Sequence, residues 1–162
     1  MKRIIMLLVL AFMFIGCASS TVIKEPIKSS TEVEQAKYVI KNIEDKSEKV
    51  APEHFLHSIE GYLKAELKNR GIAAEDEVEI NREVNIEITY YRMRSGFSRV
   101  MIGAMAGKDR VTSKVTVLDS KTGEVLGASE VDTYNVTAVA DEQDVAKMHA
   151  EEIADFLSTN PK

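Results

Sequence analysis

"VTSKVTVLDSKTGEVLGASEVDTY", Val111 to Tyr134, decides the fold. Two runs rich in β-branched residues flank Asp119-Ser120-Lys121-Thr122-Gly123. Asp and Ser side chains bond back to nearby backbone groups in turns, and glycine takes positive φ without steric cost. The stretch therefore reads as an antiparallel hairpin. Gly127 interrupts the alternation of the second run and is expected to mark a bulge.

Outward from the hairpin, Val84, Ile86, Ile88 and Tyr90 alternate with Asn85, Glu87, Thr89 and Tyr91, the period of a half-buried strand. Lys37 to Ile43 is a shorter strand candidate. Between them Phe55, Ile59, Leu63 and Leu67, joined by Leu56 and Tyr62, form one apolar helical stripe. Pro52 suits the first position of that helix, Gly71 its C-terminal stop, and Lys68 and Arg70 its last turn. Asp141 can cap a final helix with Glu142 and Asp144 in its first turn, where negative charge suits the dipole. The apolar face of this helix gathers Val145, Ala146, His149, Ile153, Phe156 and Leu157. The order β-α-β-β-β-α predicts an α+β domain over residues 37–160, a small antiparallel or mixed sheet with two helices packed on one face.

The chain has 162 residues, 44% hydrophobic and 29% charged, enough for one domain with a core and too apolar for a disordered chain. Its net charge of -5 leaves no general excess of positive charge to neutralise phosphates, so nucleic acid is excluded as a general partner. The one cysteine, Cys17, cannot form an internal disulfide.

Met1-Lys2-Arg3 followed by the twelve apolar residues Ile4 to Ile15 has the form of a secretory signal, and twelve are too few to span a bilayer. Phe14-Ile15-Gly16-Cys17 then resembles the lipobox of bacterial lipoproteins, with phenylalanine where leucine is usual. That resemblance implies cleavage after Gly16, palmitate and other acyl chains on Cys17, and residues 1–16 as a signal peptide. Ala18, in place of the aspartate that retains such proteins at the inner membrane, points to the periplasmic face of the outer membrane. Residues 17–36 read as a lipidated tether whose flexible span would be about 23 Å; the alternative is that "TVIKEPI", Thr21 to Ile27, adds an edge strand.

"RMRSGFSRVMIGAMAGKDR", Arg92 to Arg110, sets Arg92, Arg94, Arg99, Lys108 and Arg110 against a single acid, Asp109. Inside these flanks Val100 to Gly107 is apolar and small, with Met101, Gly103, Met105 and Gly107. It is open to three readings: a loop closing the core, an apolar tip whose cationic rim touches anionic lipid or a partner protein, or an oligomer contact through Gly103 and Gly107. His54 and His57 stand three apart on the polar side of the first helix, without a recognised zinc motif, and read as a solvated face. His149 reads as a core histidine satisfied by hydrogen bonds, with a pH-sensitive role as the alternative. No nucleophile elbow, phosphate loop or dinucleotide fingerprint is present.

Ser98 to Gly127 resembles the signature of a bacterial lipoprotein family known as domain of unknown function forty-four ten. The matching features are Gly103 and Gly107 in a small-residue apolar segment, a basic residue, a strand, and Asp119, Thr122 and Gly123 in the hairpin turn. The resemblance implies an α+β fold and an envelope location, and supplies no reaction. Together these readings lead to the expectation of a lipid-anchored, non-catalytic binding or assembly module without metal or cofactor. It would be attached to the membrane by acyl chains and would meet an envelope protein partner. The alternative is a carrier of lipid or another small ligand in a cavity between sheet and helices.

Overall fold

A computed structural model describes residues 18–27, 36–75, 80–94, 107–136 and 140–158. Its elements are β1 (Ala18–Glu25), β2 (Tyr38–Asp45), α1 (Glu53–Asn69), β3 (Arg82–Arg92), β4 (Asp109–Asp119), β5 (Val125–Asn135) and α2 (Glu142–Ser158). The hairpin forms as the sequence predicts. The Asp119 carboxylate accepts from the backbone N–H groups of Lys121 and Thr122 at 2.9 and 2.8 Å, and Gly123 takes φ +73°. Those bonds, to Thr122 first, hold the carboxyl below its ordinary pKa.

The sheet order is β1-β5-β4-β3-β2. All neighbours are antiparallel except β2 and β3, which run parallel because α1 crosses between them. The sheet is therefore mixed, and to the expected β-α-β-β-β-α series it adds β1 at one edge. This corrects the tether reading over Ala18–Glu25: main-chain pairing with β5, from Ala18 opposite Tyr134 to Glu25 opposite Ala128, makes the stretch a strand despite its polar composition. Thr21 Oγ1 also donates to Glu152 on α2.

Both helices cover one face. Phe55, Ile59, Leu63 and Leu67 from α1 meet Val84, Ile86, Ile88, Val111, Val115 and Val117, all at most 2% exposed. On α2, Ala146, Ala150 and Ala154 repeat every four residues and are fully buried beside the His149 side that meets the sheet, and the two helices lie close together. Pro52 stands just ahead of α1, one position outside the expected first turn, and its carbonyl accepts from Phe55 and Leu56. Gly71, at φ +68°, closes the helix, where Ile72 N–H reaches the Leu67 carbonyl. At the other helix, the Asp141 carboxylate caps Gln143 and Asp144, while Asp144 accepts from the Asp141 N–H.

Two bulges set which side chains reach the core. In β5, Val117 opposes Gly127 but Leu118 opposes Val125, so Leu126 is extra. Gly127 is required there because a Cβ would lie 2.8 Å from the Cα of Ile27, which crosses against it. In β3, Ile88 opposes Ser113 and Tyr90 opposes Thr112, leaving Thr89 extra. This second bulge overturns the alternation read from the sequence. Tyr91 turns inward, 6% exposed and 5.0 Å from the Phe55 ring, while Tyr90 turns out and is 41% exposed.

His149 is fully buried between α2 and the hairpin. Its Nε2 lies 2.8 Å from Ser113 Oγ and its Nδ1 2.9 Å from Thr133 Oγ1. A neutral imidazole has one donor and one acceptor nitrogen, and a hydroxyl can play either role, so the node is satisfied without charge. Burial lowers the His149 pKa to about 3, against a smaller raising effect of Asp132. The unfolded chain therefore takes up a proton, as pH falls through 6.5, that the folded chain refuses until about 3. Stability from this group is present above pH 6.5 and declines below it, by about 2 kcal/mol from pH 7 to pH 5. Urea unfolding at the two pH values should show that loss in the wild type and a flatter dependence in His149→Gln.

Candidate functional site

Of the basic residues singled out in the sequence, Arg92, Arg94, Lys108 and Arg110 converge on one end of the sheet, where β3 leaves and β4 and β1 begin. Arg92 lies opposite Arg110, Arg110 opposite Tyr134, and Tyr134 opposite Ala18, so one row crosses four strands. Because the Thr89 bulge reverses the parity of β3, Arg92 and Tyr90 stand on the face away from the helices. The Arg110 guanidinium lies 5.4 Å from the centre of the Tyr90 ring and donates through Nε to Asp132 at 2.7 Å. That hydrogen bond pushes its pKa above the ordinary arginine value and keeps its charge fixed. The Lys108 ammonium sits 4.0 Å from the Tyr134 ring centre. Gly107 holds φ +87°, and a Cβ there would meet the Arg92 guanidinium at 2.9 Å.

Arg94 does something different from its neighbours in sequence. Its side chain is 2% exposed and that of Asp109 is fully buried. The backbone N–H and Nε of Arg94 donate to Asp109 Oδ1 at 2.6 and 3.2 Å, and its terminal nitrogen donates to Oδ2 at 3.0 Å and to the Asn135 carbonyl at 3.3 Å. Asn135, also buried, donates to the Ala140 carbonyl. Arg94 thus leaves the expected contact surface: it fastens the end of β3 to the start of β4 and the end of β5, and its charge is spent internally. The other expected contact residues, Arg99, Met101, Gly103 and Met105, lie outside the described residues, as do Gly16 and Cys17. Tyr90, Asp132 and Tyr134 were missed in the sequence. The signal available was an aromatic residue two positions before Arg92 and another near the end of the last strand.

Beside this end, a groove of about 440 Å³ runs between residues 47–49 and 89–92. Its floor is fixed by Tyr91, whose hydroxyl donates to Glu142 at 2.7 Å. Elsewhere, His54 faces Glu142 at 3.4 Å and His57 lies near Glu53 and Glu60, all on an open helix face. Among the described residues no three His, Cys, Asp or Glu side chains are grouped to hold a metal, and no helix is long and apolar enough to cross a membrane.

A family model described as a domain of unknown function (DUF4410) matches residues 22–139, which takes in half of β1 and Arg92, Arg110 and Tyr134 of the row. No curated protein matches the chain. Among solved structures, the PelC dodecamer from Paraburkholderia phytofirmans shares the fold at a TM-score of 0.57 and 14% identity, covering 90% of this chain and 99% of that one. A leucine-to-methionine variant of the same dodecamer matches at a TM-score of 0.58 and 13% identity, with the same coverage.

Removing one member of a buried ion pair leaves the other charge without compensation, which costs about 3–5 kcal/mol. Asp109→Ala should therefore lower the unfolding free energy by that amount in urea. The double change Arg94→Met with Asp109→Leu should recover more than half of the loss, because it removes both charges at once.

Proposed function

The chain belongs to the DUF4410 family, and on that premise we propose that it is a lipid-anchored lipoprotein of the bacterial envelope, a non-catalytic assembly module at the periplasmic face of the outer membrane. The observation that carries this reading is the position of Gly16-Cys17, after a signal-like apolar run and immediately before the first residue of β1. Acylation contributes about 0.8 kcal/mol per buried CH₂, so two or more chains on Cys17 would hold the domain on a bilayer without a spanning helix. The sheet–helix interface is filled by Phe55, Ile59, Leu63, Val115 and Ile153, each fully buried, which favours a surface-binding module over a ligand carrier.

The assembly partner we propose is further copies of this chain. PelC chains with the same fold form dodecamers, and this sheet leaves the outer edges of β1 and β2 unpaired by any described strand. Val22 and Ile23 on β1 are 59% and 46% exposed, apolar surface that a neighbour could cover.

Radiolabelled palmitate should enter the wild-type protein and be lost in Cys17→Ser, with the wild type in the membrane fraction. Label that persists in the variant, or none in the wild type, refutes the anchor. Native mass spectrometry of the mature protein should give a defined oligomer above the monomer; a monomer at micromolar concentration refutes self-assembly and leaves the anchor standing.

A further inference from the structure

We infer that the outer-face row of Arg92, Arg110 and Tyr134, with Lys108, is the surface on which the domain lies against anionic phospholipid headgroups. The inference rests on the acylation of Cys17 proposed above. Its first support is the pairing of Ala18 at the head of β1. Ala18 is paired with Tyr134, and Cys17 is one residue ahead of it, so the two Cα atoms are 3.8 Å apart. Neighbouring strands are about 4.8 Å apart, which puts Tyr134 within about one Debye length of an anchor at Cys17 and Arg92 within about two. No spacer intervenes to lift the row away from the headgroups.

The second support is the distribution of charge between the two layers. On the outer face at this end, Arg92, Lys108 and Arg110 outnumber the acids: Asp132 is bonded to Arg110, and Glu130, one step further along β5, is bonded to Lys24. The acids at the same end, Asp141, Glu142 and Asp144, belong to the start of α2 on the opposite layer. Lys46, Glu48 and Lys49 follow β2 with mixed sign. A negatively charged surface therefore attracts the outer face and repels the helix end, which tips the domain in one sense about its anchor. Tyr90 and Tyr134, each beneath a cation, are amphipathic rings of the kind found at headgroup level. The chemistry that recognises the bilayer is thus lipid phosphate by Arg and Lys, assisted by tyrosine.

The chain contains no tryptophan, so a single introduced one is an unambiguous fluorescent reporter. Tyr90→Trp places it three strands from the anchor, on the proposed surface; Lys121→Trp places it in the turn at the other end of the sheet. The full lipidated chains are reconstituted into phosphatidylcholine vesicles containing phosphatidylglycerol, with bromine on the acyl chains of one lipid or the other. Intact mass of the same samples reports the acyl chains on Cys17.

The expected result is bromine quenching in Tyr90→Trp, stronger from the brominated anionic lipid, and none in Lys121→Trp. Adding Arg92→Glu and Lys108→Glu should abolish the preference for anionic lipid, and matching thermal midpoints would show that both remain folded. Acyl mass present with equal quenching at the two positions, or with no preference for anionic lipid, overturns the inference and leaves the anchor intact. Absence of the acyl mass overturns the anchor and this inference together.

Discussion

In the β4–β5 hairpin, alternate side chains must face the helices, and a slip of one residue would send that whole set to solvent. Val111, Ser113, Val115 and Val117 face inward from β4, and Ser129, Val131 and Thr133 from β5, each at most 1% exposed. The register is fixed at one end by the Asp119 turn and corrected near it by the extra residue Leu126, whose bulge makes Gly127 the residue that faces Ile27. Every other strand hangs on this pair: β1 takes its register from β5, and β3 takes its own from β4. The hairpin therefore determines where the chain emerges toward Cys17 as well as where Arg92 stands.

Two buried polar nodes then fix how the remaining parts dock, and they differ in kind. The His149 node is neutral. Ser113 and Thr133, brought together by the hairpin register, offer the two hydroxyls that α2 must meet with one imidazole, so the helix is positioned by hydrogen bonds as well as by its alanine face. The Arg94–Asp109 node carries both charges into the interior, where the attraction is offset by desolvation and the net stabilisation is small. Its geometric effect is larger than its energetic one. By tying Arg94, Asp109 and Asn135 together, it holds the ends of three strands in a fixed relation, and the row of Arg92, Arg110 and Tyr134 is laid out across those same ends.

The helices and the hairpin were legible in the sequence because each carries its own period: four spaced apolar residues in α1, a capped amphipathic run in α2, and two β-branched runs around a turn. β1 was legible only as the alternative of an edge strand over Thr21 to Ile27, because Ser, Thr, Lys and Glu give Ala18–Glu25 the composition of a linker, and only the partner strand supplies the reason for its extended form. The facing of Tyr90 and Tyr91 was also hidden. Both residues fit either face, and the bulge at Thr89 depends on a register with β4 that no local pattern expresses. The cluster of basic residues was visible as a count of charges, but its division was not. That Arg94 turns in toward Asp109 while Arg92 and Arg110 stay out follows from strand parity and from where the interior has room for a carboxylate.

The anchor proposed at the head of an edge strand would also restrict how copies can associate. If Cys17 is acylated as proposed, directly ahead of Ala18, every copy on one leaflet would present the same end of its sheet to the bilayer. The hairpin turn at Asp119 points away by the length of an eleven-residue strand, about 36 Å. Any symmetry operation relating such copies must preserve that polarity. Rotation about the membrane normal does so; a two-fold axis in the membrane plane does not, because it would carry half of the anchors to the opposite side. Closed assemblies of such copies would then be cyclic, and in rings of three or more their contacts would be heterologous, one lateral surface of each copy meeting a different lateral surface of the next. The sheet supplies two such surfaces, the open edge of β1, with Val22 and Ile23 exposed, and the outer edge of β2 beyond Tyr38, where Ala73 bridges it, on the far side of the same sheet. An anchor that fixed which end meets the lipid would thus leave the two strand edges as the surfaces through which copies can meet.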